Sequence, residues 1–325
     1  MKKKLFFIFR LIITASILIA LFKFVPYKKI VNVYKNSSKI YLVLGGCLFF
    51  LSYVVALLRW KFLLSSLKIK VSLREVSYSF FCGLFFNLFF PSFVAGDVFR
   101  AFSISYRHGH PGKVASSILM DRFSGSAALM LVAVISFLLG RNLIHDKTVI
   151  LSLALLLGIV SFVSLVIFSK TFFLFLMKIF KKQSRLRKKV LSFHEHLYFF
   201  KKNPAVFFKS LIFSFPVQVL TPLGFFVASK GFHLDIGVIY FLMLVPIVGA
   251  IALIPITIAG AGTREASAVY FFSLIGIDKS IGLGISLLNL IFMVVMGILG
   301  GILYVSVYHR WFQSRPSDKK PEKFS

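Results

Sequence analysis

The stretch Asn87-Leu88-Phe89-Phe90-Pro91-Ser92-Phe93-Val94-Ala95-Gly96-Asp97-Val98-Phe99-Arg100 interrupts an apolar region running from Ser77 to Tyr106. Proline removes a backbone donor, and a charged side chain at the centre of a membrane helix costs about 2.5–3.5 kcal/mol on insertion scales. Broken helices are tolerated at membrane depth only where protein or a water-filled cavity satisfies the freed backbone groups. If a helix resumes at Gly96 or Asp97, Asp97 caps its free amides, and Arg100 lies one turn on over the same face. Such a helix start is also a ready anion site, the alternative being a self-neutralised ion pair at the membrane interface.

A second interrupted region runs from Ile236 to Ile275 and holds Pro246, Pro255, Gly260, Gly262, Arg264 and Glu265. Around these two regions lie apolar runs at Leu5 to Val25, Ile40 to Leu58, Val114 to Gly140, Thr148 to Ser169, Ser210 to Ser229 and Ile281 to Tyr308. Each is long enough to cross a bilayer as a helix. The chain therefore reads as an all-α polytopic membrane protein with about six full spans and two interrupted or re-entrant elements, an arrangement open to an inverted repeat. The first run follows Lys2, Lys3 and Lys4 but has no small-residue cleavage site before Pro26, so it reads as a retained span rather than a leader.

Composition agrees: 58% of the 325 residues are hydrophobic and the mean hydropathy is +0.89. A net charge of +29 raises nucleic acid as a partner, but the basic residues sit in short connections between spans and read as topogenic. They should also attract anionic lipid head groups. The 41 phenylalanines are spread over nearly every span, as lipid-facing filler would be. Cys47 and Cys82 lie in apolar runs without redox or metal spacing, and His194 and His196 point different ways on any helix. No metal, no cofactor and no catalytic constellation is expected.

Charge bias sets the topology. Lys178 to Lys209 carries ten basic residues against one acidic, Glu195, and reads as a cytoplasmic connection. The N-terminus, the connection Arg59 to Arg74 and the basic tail 309–325 read the same way, leaving residues 1–308 as one transmembrane domain. These assignments agree only if Ser77 to Tyr106 dips into the membrane and returns to the same side. By the same parity, Ile236 to Ile275 enters from outside and leaves outward, turning near Pro255 to Arg264. Lys28, Lys29, Lys35 and Lys39 in the first external loop break the rule. Paired interrupted elements from opposite faces place a site at the midplane, where they meet.

Only three carboxylates lie in the apolar segments, Asp97, Asp121 and Glu265, and each has an arginine within three residues: Arg100, Arg122 and Arg264. Adjacent helical residues point about 100° apart, so Asp121 and Arg122 each need a partner from another element. In Gly260-Ala261-Gly262-Thr263-Arg264-Glu265 the glycines permit tight backbone geometry and Thr263 can cap the helix that follows. The six charges are expected to converge on one polar cavity, with Asn87 and Thr263 beside them and Pro91, Gly96, Pro255, Gly260 and Gly262 breaking the helices.

At these residues the chain resembles the family of the transmembrane region of lysylphosphatidylglycerol synthase, flippase-like membrane proteins that also occur alone. The matching motifs are Asn87, Pro91, Gly96, Asp97 and Arg100 in their spacing, the pair Asp121-Arg122, and Gly260-x-Gly262-Thr263-Arg264-Glu265. The chain departs from the family in carrying Asp97 where glutamate is usual and Phe93 where a small or basic residue is common. After Tyr308 only 17 residues remain, without the soluble domain that transfers an amino acid to lipid. The resemblance implies a transporter in the cell membrane that moves a phospholipid or lipid-linked head group between leaflets. Its partners would be anionic or lipid-linked head groups, and homo-oligomers are compatible with it. Two readings remain open beside it: a membrane-embedded transferase using a lipid-phosphate donor, and a non-transporting regulator of a lipid or cell-envelope enzyme.

Overall fold

The computed structural model describes residues 12–17, 19–21, 23, 25, 27–89, 94–143, 146–177, 197–254, 256–257 and 260–313, and they form helices joined by short turns. The elements are α1 (Tyr27–Lys35), α2 (Lys39–Ser66), α3 (Leu73–Phe89), α4 (Ala95–His108), α5 (Pro111–Leu139), α6 (Lys147–Phe168), α7 (Lys170–Leu176), α8 (Pro204–Gly231), α9 (Val238–Ala252), α10 (Thr263–Ser273) and α11 (Lys279–Gln313). Among the described residues, α2, α5, α6, α8 and α11 are long and apolar enough to cross a membrane. The first expected span lies partly outside the described residues; those described between Ile12 and Leu21 are helical. Pro91, Pro255 and residues 178–196 of the basic connection also lie outside them.

Local sequence explains the boundaries. Pro111 and Pro204 stand in the first turns of α5 and α8, where a missing amide donor leaves no hydrogen bond unmade. Asp146 caps α6 by accepting from the Thr148 amide at 2.7 Å. The helix expected to end at Leu58 continues to Ser66, because Trp60, Leu63 and Leu64 keep an apolar face turned into the core. Arg59 therefore lies inside a span rather than at the head of a connection, roughly 10 Å from the helix end at 1.5 Å per residue. Lys28, Lys29 and Lys35 fall on the short helix α1, which buries Ile30 and leaves those lysines exposed.

Helices α2 and α8 run antiparallel along their whole length. The Ser38 amide donates to the Gly231 carbonyl at 2.8 Å at one end, and Phe62 meets Phe213 at 5.6 Å between ring centroids near the other. Gly224 makes the approach possible: a Cβ there would stand 2.4 Å from the Phe49 ring. Small residues at a helix contact are how membrane helices gain van der Waals packing in a solvent as apolar as their side chains.

The two interrupted regions are helical hairpins. In the first, α3 and α4 return the chain to its starting end, where Glu75 lies 3.5 Å from Arg107 and 3.4 Å from His108. In the second, Phe241 near the start of α9 packs on Phe272 near the end of α10, with ring centroids 5.5 Å apart. The first hairpin opens beside the C-terminal end of α2 and the second beside the C-terminal end of α8. Since α2 and α8 are antiparallel, the hairpins enter from opposite ends of the bundle and their tips face inward. Leu139, Ile212 and Val305 are 77%, 69% and 74% exposed, the outward apolar surface of a membrane protein.

Candidate functional site

Asn87 ties the inner ends of α3 and α4 together. Its Oδ1 accepts from the Gly96 amide at 2.9 Å and so satisfies one of the free donors at the start of α4. Asp97 does not perform that capping role: α4 begins at Ala95, and Val94 at its cap position offers no side-chain bond. The helices touch backbone to backbone here, since a Cβ on Gly96 would lie 2.1 Å from the Gly83 carbonyl oxygen. Farther down, the Ser79 and Ser103 hydroxyls meet at 2.5 Å.

Released from capping, Asp97 serves a charge cluster that joins three elements. Its Oδ1 accepts from Arg100 Nη1 at 3.3 Å and its Oδ2 from Arg122 Nε at 2.8 Å. Asp121 accepts from Arg59 Nε at 2.7 Å and from Arg100 Nη2 at 3.1 Å. The order is Arg59, Asp121, Arg100, Asp97, Arg122, alternating in sign, so each carboxylate lies between two guanidinium groups. Three cations against two anions leave one positive charge in excess.

The surroundings fix these side chains. Arg59 also donates to the Ser214 hydroxyl at 2.8 Å, and its guanidinium fits against Gly125, where a Cβ would stand 3.2 Å from Nη1. Arg100 stacks over the Trp60 ring at 4.0 Å from the centroid, with Phe80 at 5.1 Å. Trp60 is held in turn by its indole N–H donating to the Ser117 hydroxyl at 3.2 Å. Buried ion pairs hold geometry better than they add stability, because desolvation offsets most of the Coulomb attraction.

This cluster forms one wall of a cavity of about 380 Å³ between the two hairpins. Asn87, Arg59, Arg100, Asp121 and Arg122 line one side; Gln218 and Thr221 of α8, Asn289 of α11 and Arg264 line the other. Arg264 lies in the first turn of α10, so the second hairpin presents a cation to the space the first hairpin faces. A smaller pocket of about 80 Å³ shares Gln218, Thr221, Arg264 and Asn289 and extends the space toward α9.

Of the six charges expected together, the structure brings five to this cavity or to its ion-paired wall. Glu265 is elsewhere. It is fully buried, its Oε2 accepts from the Gly262 amide at 2.5 Å, and its Oε1 has no partner among the described residues. Gly262, with φ of 87°, occupies the cap position given to Thr263 in the sequence reading, and Gly260 has φ of 74°. Both are left-handed conformations that favour glycine. Thr263 instead donates to the Gly260 carbonyl at 3.0 Å and meets the Thr257 hydroxyl at 3.1 Å. These contacts shape the hairpin tip that carries Arg264.

Sequence reasoning missed Arg59 because it assigned that residue to a basic connection. The available signal was the apolar periodicity persisting through Trp60, Leu63 and Leu64. Ser214, Gln218 and Asn289 carried no such signal, being single neutral polar residues in apolar spans.

Two comparisons bear on the chain as a whole. The family model described as Lysylphosphatidylglycerol synthase TM region matches residues 7–301. The UPF0104 membrane protein MJ1595 of Methanocaldococcus jannaschii is 22% identical over 335 residues, covering 96% of each protein.

Proposed function

We propose that this chain, which belongs to the Lysylphosphatidylglycerol synthase TM region family, moves a phospholipid or lipid-linked polar head group between the leaflets of the cell membrane. The observation that carries this reading is the cavity of about 380 Å³, lined by arginines in net excess and reached by a hairpin from each end of the bundle. A phosphate crossing hydrocarbon loses its hydration, and an unpaired charge in that medium is very costly. Guanidinium forks replace the lost water with paired donors whose planar geometry fits phosphate oxygens. Asp97 and Asp121 hold neighbouring arginines apart and oriented, so the site is preorganised without closing on itself.

The five-membered alternation also grades the arginines by access. The side chains of Arg59 and Arg100 are 8% and 7% exposed, whereas that of Arg122 is 40% exposed. Arg122 is therefore the entering phosphate's first contact, and Arg264 on the opposite hairpin is the contact toward the other leaflet. In the orientation that follows from the charge bias, both termini, the basic stretch 178–209 and the mouth of the first hairpin face the cytoplasm.

The test is a leaflet-sidedness assay on purified protein in liposomes, using anionic, aminoacylated and glycosylated lipids in parallel. Exchange of at least one class above the protein-free rate supports transport. Chemical conversion of the lipid without exchange would instead identify a transferase.

A further inference from the structure

A second cavity, of about 410 Å³, lies between α5, α6 and α7 and is lined by apolar side chains such as Leu119, Phe123, Val163 and Ile167. Its polar exceptions are Ser126 and Arg122. Among the described residues, Arg122 is the one that borders both this cleft and the polar cavity. Its Nε is engaged by Asp97 at 2.8 Å, and among the described residues neither terminal nitrogen has a hydrogen-bond partner. One guanidinium thus stands at the junction of a charged chamber and a greasy one, with its fork open.

We infer that the cleft between α5 and α6 holds an acyl chain of the transported lipid while the phosphate of the same molecule is bound at Arg122. The inference rests on the transport reading and names the shape of its substrate: an anionic head group with at least one long chain attached. The chemistry follows from adjacency. An amphiphile with a phosphate at the Arg122 fork has its hydrocarbon end within reach of one wall, and that wall is apolar. The cleft's volume falls in the roughly 300–1,000 Å³ range of small-ligand pockets. The excess positive charge of the ion-paired cluster selects an anion at the head-group end, and the walls exclude a soluble phosphate compound from gaining the same contact. The cleft also lets the chain remain in an apolar medium while the head group enters the polar cavity, so only the polar part needs a protein path.

The experiment uses the full chain in phosphatidylcholine liposomes. Its probe is phosphatidylglycerol bearing a photoreactive diazirine near the end of one acyl chain, and diacylglycerol with the same modified chain is the phosphate-free control. Adducts are located by mass spectrometry. The expected result is enrichment on Leu119 to Ser126 and on Ile159 to Ile167 with phosphatidylglycerol and not with diacylglycerol. Arg122→Gln, which removes the charged donors, should lower that labelling about tenfold. Val163→Trp should lower it by projecting an indole into the cleft, while Ile212→Trp on the outward face of α8 should leave it unchanged. Equal labelling by both probes, or adducts spread evenly over α2, α8 and α11, would show ordinary boundary lipid and overturn the inference. Head-group exchange that persists in Val163→Trp at the unmodified rate would also overturn it while leaving transport standing. Arg122-dependent labelling without any exchange between leaflets would leave the cleft occupied and remove the transport reading instead.

Discussion

Replacing Asp121 by asparagine should destabilise the protein more than replacing Arg59 by methionine, although the two residues form one ion pair at 2.7 Å. The asymmetry comes from the rest of the cluster. Without Arg59, the cluster is Asp121, Arg100, Asp97 and Arg122, which is neutral, and Asp121 keeps Arg100 at 3.1 Å. The loss is one charged hydrogen bond plus the bond to Ser214, about 3 kcal/mol together. Without the Asp121 charge, three arginines are left with the single carboxylate of Asp97, which pairs with Arg100 and Arg122, and Arg59 is left buried with only neutral acceptors, Ser214 and the asparagine amide oxygen. That places Asp121→Asn toward the upper part of the roughly 3–5 kcal/mol range for breaking a buried pair. The double variant Arg59→Met with Asp121→Asn should fall short of the sum of the singles, by up to about 3 kcal/mol, because each removes the other's partner. Equilibrium denaturant unfolding in mixed micelles, followed by tryptophan fluorescence, reports these values, since Trp60 is buried beside the cluster. Equal or inverted costs for the two singles, or additivity within about 0.5 kcal/mol, would refute the alternating arrangement.

Gly96→Ala should destabilise the first hairpin by about 1–3 kcal/mol, because the new Cβ meets the Gly83 backbone at 2.1 Å; Gly158→Ala, facing open space, should not, and unfolding midpoints compare them. Glu265→Gln retains an oxygen for the Gly262 amide and should keep near-normal exchange, whereas Arg264→Lys, which lacks the fork, should slow lipid exchange about tenfold in liposomes; the opposite ranking would move the second hairpin's function to its carboxylate. Single cysteines at Lys70 and His110 should react with an impermeant reagent from the same side of the membrane, and cysteines at Asp235 and Asp278 from the other; Lys70 and His110 on opposite sides would mean that the first hairpin crosses.

Much of this architecture was legible because membrane helices announce themselves by length and apolarity, and because charge parity forced both interrupted regions to return. The long runs at Val114 to Gly140 and Thr148 to Ser169 agree with α5 and α6 to within a few residues. Boundaries failed where an amphipathic continuation looked like a loop, as at Arg59 to Ser66. The requirement that Asp121 and Arg122 find partners on other elements followed from helix geometry, but the partners did not, since sequence spacing says nothing about which spans pack together. Local motif logic misassigned the caps for a related reason. Asp97 and Thr263 are good capping types in isolation, yet Asn87 from the opposite helix satisfies the Gly96 amide, and the backbone turn at Gly262 fixes the start of α10. Glu265 shared a motif with Arg264, but their neighbouring positions on a helical turn send the side chains different ways.

In the proposed function, arginine in the inter-hairpin cavity carries a lipid phosphate across the membrane. The most direct measurement is the leaflet exchange rate of fluorescent phosphatidylglycerol in liposomes holding the unmodified protein or Arg122→Gln. Arg122 is 40% exposed and paired through a single nitrogen, so this variant tests binding with less disturbance of folding than a change at Arg59 or Arg100. Exchange above the protein-free rate is expected for the unmodified chain, with a fall of about tenfold in Arg122→Gln and a stability loss of about 2 kcal/mol from the one charged hydrogen bond to Asp97. Exchange at the unmodified rate in Arg122→Gln, or none above protein-free liposomes in either protein, would contradict the proposed function.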